Sequence, residues 1–99
     1  MAASKIFFEN CTAQTIHLFL RTHQGLLEMH FFDQAQPAST AIPSQRRIGV
    51  DITPSIQTCM NENRLNFMLV SHHKGGLDIS CGRERLAEGP IFVLRDPVS

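Results

Sequence analysis

The sequence lacks tryptophan and tyrosine, and phenylalanine supplies all seven of its aromatic residues. Sugar-binding sites commonly stack an aromatic ring beside polar groups, so this absence weighs against a lectin. The sequence also lacks an excess of charge of either sign, because nine basic and nine acidic residues cancel to a net charge of zero. Strong attraction to nucleic acid or to an anionic membrane is therefore not expected, and weak mutual repulsion favours self-association.

Cysteine pairs and long apolar runs are missing as well. Cys11, Cys59 and Cys81 cannot all pair within one chain, and none has a C-x-x-C spacing. This pattern predicts reduced thiols and a cytoplasmic location. The apolar stretch near the N-terminus is too short for the core of an export signal. The longest apolar run, residues 67–70, is far shorter than the roughly 20 residues that span a bilayer, so no transmembrane segment is expected.

Short strand-like runs, separated by turn-forming residues, predict an all-β fold. We expect one domain over residues 1–99, built as an antiparallel β-sandwich of about seven short strands with one or two short helical turns. A chain of this size leaves little room for an elaborate cofactor cleft, and we expect no cofactor. The predicted strands cover residues 5–10, 14–22, 26–33, 47–52, 65–72, 77–82 and 91–95.

The connections are predicted from their own residues. Thr53-Pro54 places an N-cap before a proline at the first helical position, which predicts a short helical turn. A second turn is predicted over residues 83–88, ahead of Gly89-Pro90. Residues 34–45 carry prolines and show neither helical nor alternating periodicity, so they predict a loop.

A two-residue loop at Gln24-Gly25 predicts the register of the second and third strands, with Arg21 opposite Glu28. Side chains alternate across a strand, so the hairpin has two distinct faces. One face is wholly apolar and is assigned to the core; it carries Ile16, Leu18, Leu20, Leu27, Met29 and Phe31. The opposite face mixes aromatic rings, imidazoles and an ion pair; it carries His17, Phe19, Arg21, Glu28, His30 and Phe32.

Residues 65–72 are apolar on both faces, which is typical of a central strand that is covered on both sides. The glycines of residues 73–76 predict a hairpin between this strand and residues 77–82. Its register would place Met68 and Val70 on the same face as Cys81. Leu18, Leu20, Met29, Phe31, Phe67, Val70 and Ile79 are predicted to be nearly fully buried.

The mixed face of the first hairpin predicts a small non-enzymatic binding or adaptor module. It would contact a protein partner or a second copy of the chain, giving a homo-oligomer. A solvated outer face with two stray phenylalanines is the structural alternative, because single exposed apolar residues are common. His17 and His30 share this face, but a metal site built on two imidazoles would need an outside ligand.

Two further function classes stay open. A lectin-like sandwich would use polar loop residues such as Asn61, Asn63 and Asp78 to bind a small ligand. A Cys/His hydrolase or metal enzyme would use Cys81 as nucleophile, His72 as base and Asp78 to orient the base. The predicted apolar surroundings of Cys81 argue against catalysis, because a thiol there behaves as a small hydrophobic group.

Overall fold

The structure, a computed structural model, describes residues 3–62, 64–83 and 88–98. Ten strands and one short helix lie within these ranges, so the chain is mostly β, as its sequence predicts. The strands are β1 (Lys5–Asn10), β2 (Ile16–His23), β3 (Leu26–Phe32), β4 (Thr40–Ile42), β5 (Arg46–Asp51), β6 (Met60–Asn61), β7 (Arg64–Leu65), β8 (Phe67–Ser71), β9 (Asp78–Arg83) and β10 (Pro90–Arg95). The helix, α1 (Pro54–Gln57), follows β5.

Two four-stranded sheets and a two-stranded hairpin contain these strands. The first sheet has the order β5-β1-β10-β9 and the second has the order β4-β2-β3-β8, while β6 pairs with β7. Each four-stranded sheet includes one parallel pair, β1 with β10 and β3 with β8. The expectation of purely antiparallel sheets is therefore wrong. Hairpin signals report strands that follow one another in the chain, whereas both parallel pairs join strands that are distant in sequence.

The β2–β3 hairpin has the predicted register, with Arg21 opposite Glu28 and regular pairing along both strands. Gln24 and Gly25 form the connecting loop, and their φ angles are 52° and 76°. Positive φ at both positions is the requirement of a type I′ turn, whose twist matches that of the flanking strands. The local sequence therefore determines this register without help from the rest of the fold.

The predicted hairpin between residues 65–72 and 77–82 is wrong. β8 pairs with β3, and β9 pairs with β10 in the other sheet. Gly75 and Gly76 both have a φ of 86°, but the segment that contains them connects the two sheets and does not close a hairpin. The same glycine signal serves a tight turn and a crossing between sheets, because both need positive φ.

The core receives aromatic rings from both four-stranded sheets. Phe8 of β1, Phe31 of β3 and Phe92 of β10 are fully buried. The ring centroids of Phe8 and Phe92 are 5.5 Å apart within the first sheet, and those of Phe8 and Phe31 are 6.2 Å apart between the sheets. Edge-to-face and offset contacts at these distances stabilise the core beyond the area that they bury.

The predicted core is confirmed in part. Leu18, Met29 and Phe31 are buried as predicted. Leu20, Phe67, Val70 and Ile79 are only partly buried. Leu20 lies toward the hairpin loop, whereas the other three belong to β8 and β9, which are edge strands with a neighbour on one side only. The central position expected for the run 65–72 is therefore wrong.

The connections differ in how far they follow the predictions. α1 begins as predicted, with the Thr53 hydroxyl accepting a hydrogen bond from the N–H of Ile56 at 3.2 Å. β4 occupies part of the loop predicted over residues 34–45, and the second predicted helical turn lies mostly outside the described residues. No helix in the described ranges is long and apolar enough to cross a membrane.

Candidate functional site

The six side chains of the mixed hairpin face do lie together, and β8 extends their surface. Cross-strand partners share a face of a sheet, so Met68 joins Glu28, and Val70 joins His30. His72 directly follows β8 and stacks on Phe32. The outer face is defined here by nine residues in three rows of three: His17, Phe32 and His72; Phe19, His30 and Val70; Arg21, Glu28 and Met68.

A hydrogen-bonded network of charged and polar side chains begins at Arg21. Its Nε donates to Oε1 of Glu28 at 2.7 Å, and Nε2 of His30 lies 2.9 Å from the same oxygen. Glu28 is only 6% exposed, which is rare for an acidic residue on a sheet surface. Hydrogen bonds from Arg21, and then from His30, hold the pKa of the Glu28 carboxyl below its usual 4.5. Glu28 therefore remains a charged acceptor that orients both neighbours.

His30 extends the hydrogen-bonded network to His72, because Nδ1 of His30 lies 2.9 Å from Nε2 of His72. The Glu28 carboxylate only accepts hydrogen bonds, so Nε2 of His30 carries a proton. In neutral His30, Nδ1 is then an acceptor and takes a hydrogen bond from Nε2–H of His72. The buried carboxylate thus sets the tautomers of two imidazoles, one of which is exposed.

Aromatic contacts hold the imidazoles in place. The rings of Phe32 and His72 are stacked, with centroids 4.2 Å apart and planes 3° apart. Phe19 lies 5.9 Å from His30 in a tilted arrangement. Both phenylalanines are half-buried, and Met68 is 42% exposed at the margin. The outer face therefore combines apolar area with oriented hydrogen-bonding groups, which is the composition of many protein contact surfaces.

Among the residues that the structure describes, none adds a further ligand to a metal site built on His17 and His30. His30 bonds to Glu28 and His72, and no group of three or more histidine, cysteine or acidic side chains within the described ranges is placed to hold a metal ion.

The Cys/His alternative places its nucleophile and its base in different sheets. Cys81 lies on β9 in one sheet, whereas His72 follows β8 in the other, so the predicted face shared by Cys81, Met68 and Val70 is wrong. Cys81 is exposed, although partial burial of its thiol raises its pKa above the usual 9.0. Within the described part of the chain, no hydrogen bond joins Cys81 to His72 or to Asp78. An imidazole that could activate the thiol is therefore missing from its hydrogen-bond partners.

The polar residues of the lectin alternative lie on different elements. Asn61 belongs to the β6–β7 hairpin, Asp78 begins β9, and Asn63 lies outside the described residues. A separate open cavity of about 470 Å³ lies elsewhere; it is lined by Ala13, Gln14, Asp33, His73, Lys74 and Asp96.

The groups that line this cavity largely bind one another. Oδ2 of Asp33 accepts a hydrogen bond from the backbone N–H of Lys74 at 2.8 Å. Nε2 of His73 lies 2.9 Å from Oδ1 of Asp33, which is an ion-pair distance without the alignment of a hydrogen bond. The cavity has the size of a small-molecule site, and two of its lining side chains, Asp33 and His73, already contact one another.

Sequence reasoning missed the contribution of β8 to the outer face. Met68, Val70 and His72 do share a face, as their alternation predicts, but alternation does not identify the strand that lies beside them. Comparison of the chain with protein-family models, with curated proteins and with solved structures finds no match. Only the residues of the site and their geometry therefore bear on its function.

Proposed function

We propose that the chain is a small non-enzymatic binding or adaptor module that contacts a protein through its outer face. The bound protein is a partner or a second copy of the chain, and the scaffold is a single-domain β-sandwich of the two four-stranded sheets. Contact between Phe8 and Phe31, one from each sheet, supports this arrangement of the scaffold.

One observation carries the proposal: the outer face keeps Glu28 almost fully buried between Arg21 and His30 on the surface of the molecule. A solvated face has no need to order a carboxylate, a guanidinium and two imidazoles into one chain of hydrogen bonds. Because this hydrogen-bonded network is already ordered beside half-buried rings, less conformational entropy is lost when a partner binds. Rings such as Phe19 and Phe32 then supply the apolar contact area.

Other features support the remaining parts of the proposal. The three cysteines are free thiols, which agrees with a reducing, cytoplasmic setting. The outer face carries a possible base, His72, but no serine, threonine or cysteine among its nine residues that could act as a nucleophile. A module without covalent chemistry and without a cofactor fits this set of side chains.

The test charges the centre of the outer face. Phe19→Glu should abolish contact with the partner or the second copy while leaving the melting temperature close to that of the wild type, because the core lies on the opposite side of the hairpin. Thr22→Glu is the matched control, since it adds the same charge to an exposed position of β2 on the other side of the strand.

Two measurements compare these variants: molar mass by light scattering, and the identified proteins that each variant captures. Equal masses and equal captured proteins for Phe19→Glu and Thr22→Glu would show that the face is merely solvated.

A lectin-like ligand-binding sandwich remains the second candidate, and the cavity beside Asp33 and His73 is the observation that favours it. Calorimetric titration with a panel of soluble sugars tests this candidate. Heat of binding that is lost in Asp33→Asn but kept in Phe19→Glu would place a ligand in the cavity, and the absence of heat with every sugar would reject it.

A further inference from the structure

β8 is the least protected of the four edges of the two larger sheets. It reads Phe-Met-Leu-Val-Ser and contains neither a charged residue nor a proline. The other three edges carry the features by which natural sheets avoid pairing with another chain: β5 has Arg46, Arg47 and Asp51, β9 begins with Asp78, and β4 has only three residues.

The ladder between β3 and β8 determines which backbone groups of β8 are already used. At one end the carbonyl of Asn66 accepts a hydrogen bond from the N–H of Leu27 at 2.9 Å. At the other end the N–H of His72 donates to the carbonyl of Phe31 at 2.8 Å. In a parallel ladder, alternate residues direct both backbone groups to the same neighbour, so every second residue between these ends points toward β3.

The remaining three residues of β8, Phe67, Leu69 and Ser71, direct their N–H and C=O groups away from β3. Within the described ranges, no hydrogen bond is made to any of these backbone groups. A row of donors and acceptors along an apolar strand is a template for another strand.

We propose that β8 pairs antiparallel with β8 of a second copy of this chain, about a two-fold axis at Leu69. This register places Leu69 opposite its own copy and Phe67 opposite Ser71, and each of these pairs can exchange two hydrogen bonds. Met68 then lies opposite Val70, so apolar side chains meet and like charges do not. The strand is complementary to itself, as a two-fold interface requires.

A second copy of the chain can supply hydrogen-bond partners for the outward backbone groups of β8, so no partner of different sequence is required. The net charge of zero leaves little repulsion between two copies. Pairing would join the two sheets of order β4-β2-β3-β8 into one continuous sheet. Met68 and Val70 belong to the outer face, but the contact is made by the backbone of β8 and uses neither Phe19 nor Phe32, so this proposal does not rest on the proposed function of the outer face.

Amide hydrogen exchange followed by NMR at two protein concentrations tests the pairing at single residues. At the concentration where light scattering gives the dimer mass, the amides of Phe67, Leu69 and Ser71 should be protected. Dilution to the monomer should remove protection from these three, while Met68 and Val70 keep theirs because they bond to β3. Fast exchange of the Leu69 amide at both concentrations, or a monomer mass throughout, would overturn the proposal.

One variant separates this edge from the outer face. Ser71→Pro removes one outward N–H from each copy without touching the β3 ladder, and should raise the dimer dissociation constant roughly tenfold or more. Thr40→Lys, on the opposite edge of the same sheet, is the control and should leave the dimer unchanged.

Phe19→Glu distinguishes the two proposals. If it leaves a dimer intact that Ser71→Pro dissociates, β8 forms the two-fold contact. If Phe19→Glu dissociates the dimer and Ser71→Pro leaves its mass unaltered, the outer face forms the contact and the pairing of β8 is refuted.

Discussion

Nδ1 of His30 and Nε2 of His72 lie 2.9 Å apart, although the two residues are separated by 42 positions in the chain. The parallel pairing of β3 with β8 brings them together, because His30 lies opposite Val70 and His72 is two residues further along the same face. This contact connects the buried carboxylate of Glu28 to an exposed imidazole, and it gives the outer face an order that the hairpin alone would lack.

The lowered pKa of Glu28 predicts acid sensitivity of the fold. A carboxyl whose pKa is lower in the folded than in the unfolded state contributes stability above its usual 4.5, and this contribution is lost as the pH falls through the folded value. Glu28→Gln should therefore lower stability at neutral pH, and the difference from wild type should shrink as the pH falls below 4.5. Urea unfolding across this range measures the effect.

Glu62→Gln is the control for this prediction, since Glu62 is an exposed residue without an ion pair among the described contacts. A wild-type stability advantage over Glu28→Gln that is the same at neutral and at acid pH would contradict the role assigned to the carboxylate.

Burial differences within one apolar face predict unequal losses of stability. Leu18 is 2% exposed and Leu20 is partly exposed, although both point toward the core from β2. Leu18→Ala should lower the free energy of unfolding by about 2–5 kcal/mol, and Leu20→Ala should lower it by less, because less buried volume is removed. Chemical denaturation of the two variants measures the difference. A larger loss for Leu20→Ala would mean that the hairpin is seated differently on the core.

Asn10 is a buried polar residue whose side chain is fully hydrogen-bonded. Its Nδ2 donates to the carbonyls of Gln14 and Ile42, each at 2.8 Å, and its Oδ1 accepts from Thr12. Asn10→Ala should lower the free energy of unfolding by about 1–3 kcal/mol for each buried group left without a partner. Asn61→Ala, at an exposed position, should have little effect in the same denaturation experiment.

The cysteines are predicted to differ in reactivity. Cys59 is fully buried, so it should resist iodoacetamide until the protein unfolds. Cys81 is exposed but its raised pKa keeps the thiol protonated, so it should be alkylated slowly at neutral pH and faster as the pH rises past its usual 9.0. Mass spectrometry of the alkylated peptides distinguishes the two sites. Rapid modification of Cys81 at neutral pH would instead favour the Cys/His hydrolase, in which Cys81 is the nucleophile.

The sequence by itself determined the features that depend on neighbouring residues. Gln24-Gly25 sets the type I′ turn, and this turn sets the register that gathers His17, Phe19, Arg21, Glu28, His30 and Phe32 on one face. Thr53-Pro54 likewise begins α1 by a local hydrogen bond. Such features need only the φ preferences of a few residues and the two-residue period of a strand.

Only the tertiary structure decided which distant strands lie side by side. β8 has the composition of a central strand, yet it lies at an edge beside β3, and β9 lies in the other sheet. This placement left Val70 and Ile79 only partly buried, exposed Cys81 and added His72 to the outer face. The alternation of side chains predicts which of them share a face of one strand. The strand that lies beside it depends on how the whole chain buries its apolar area, which no single segment determines.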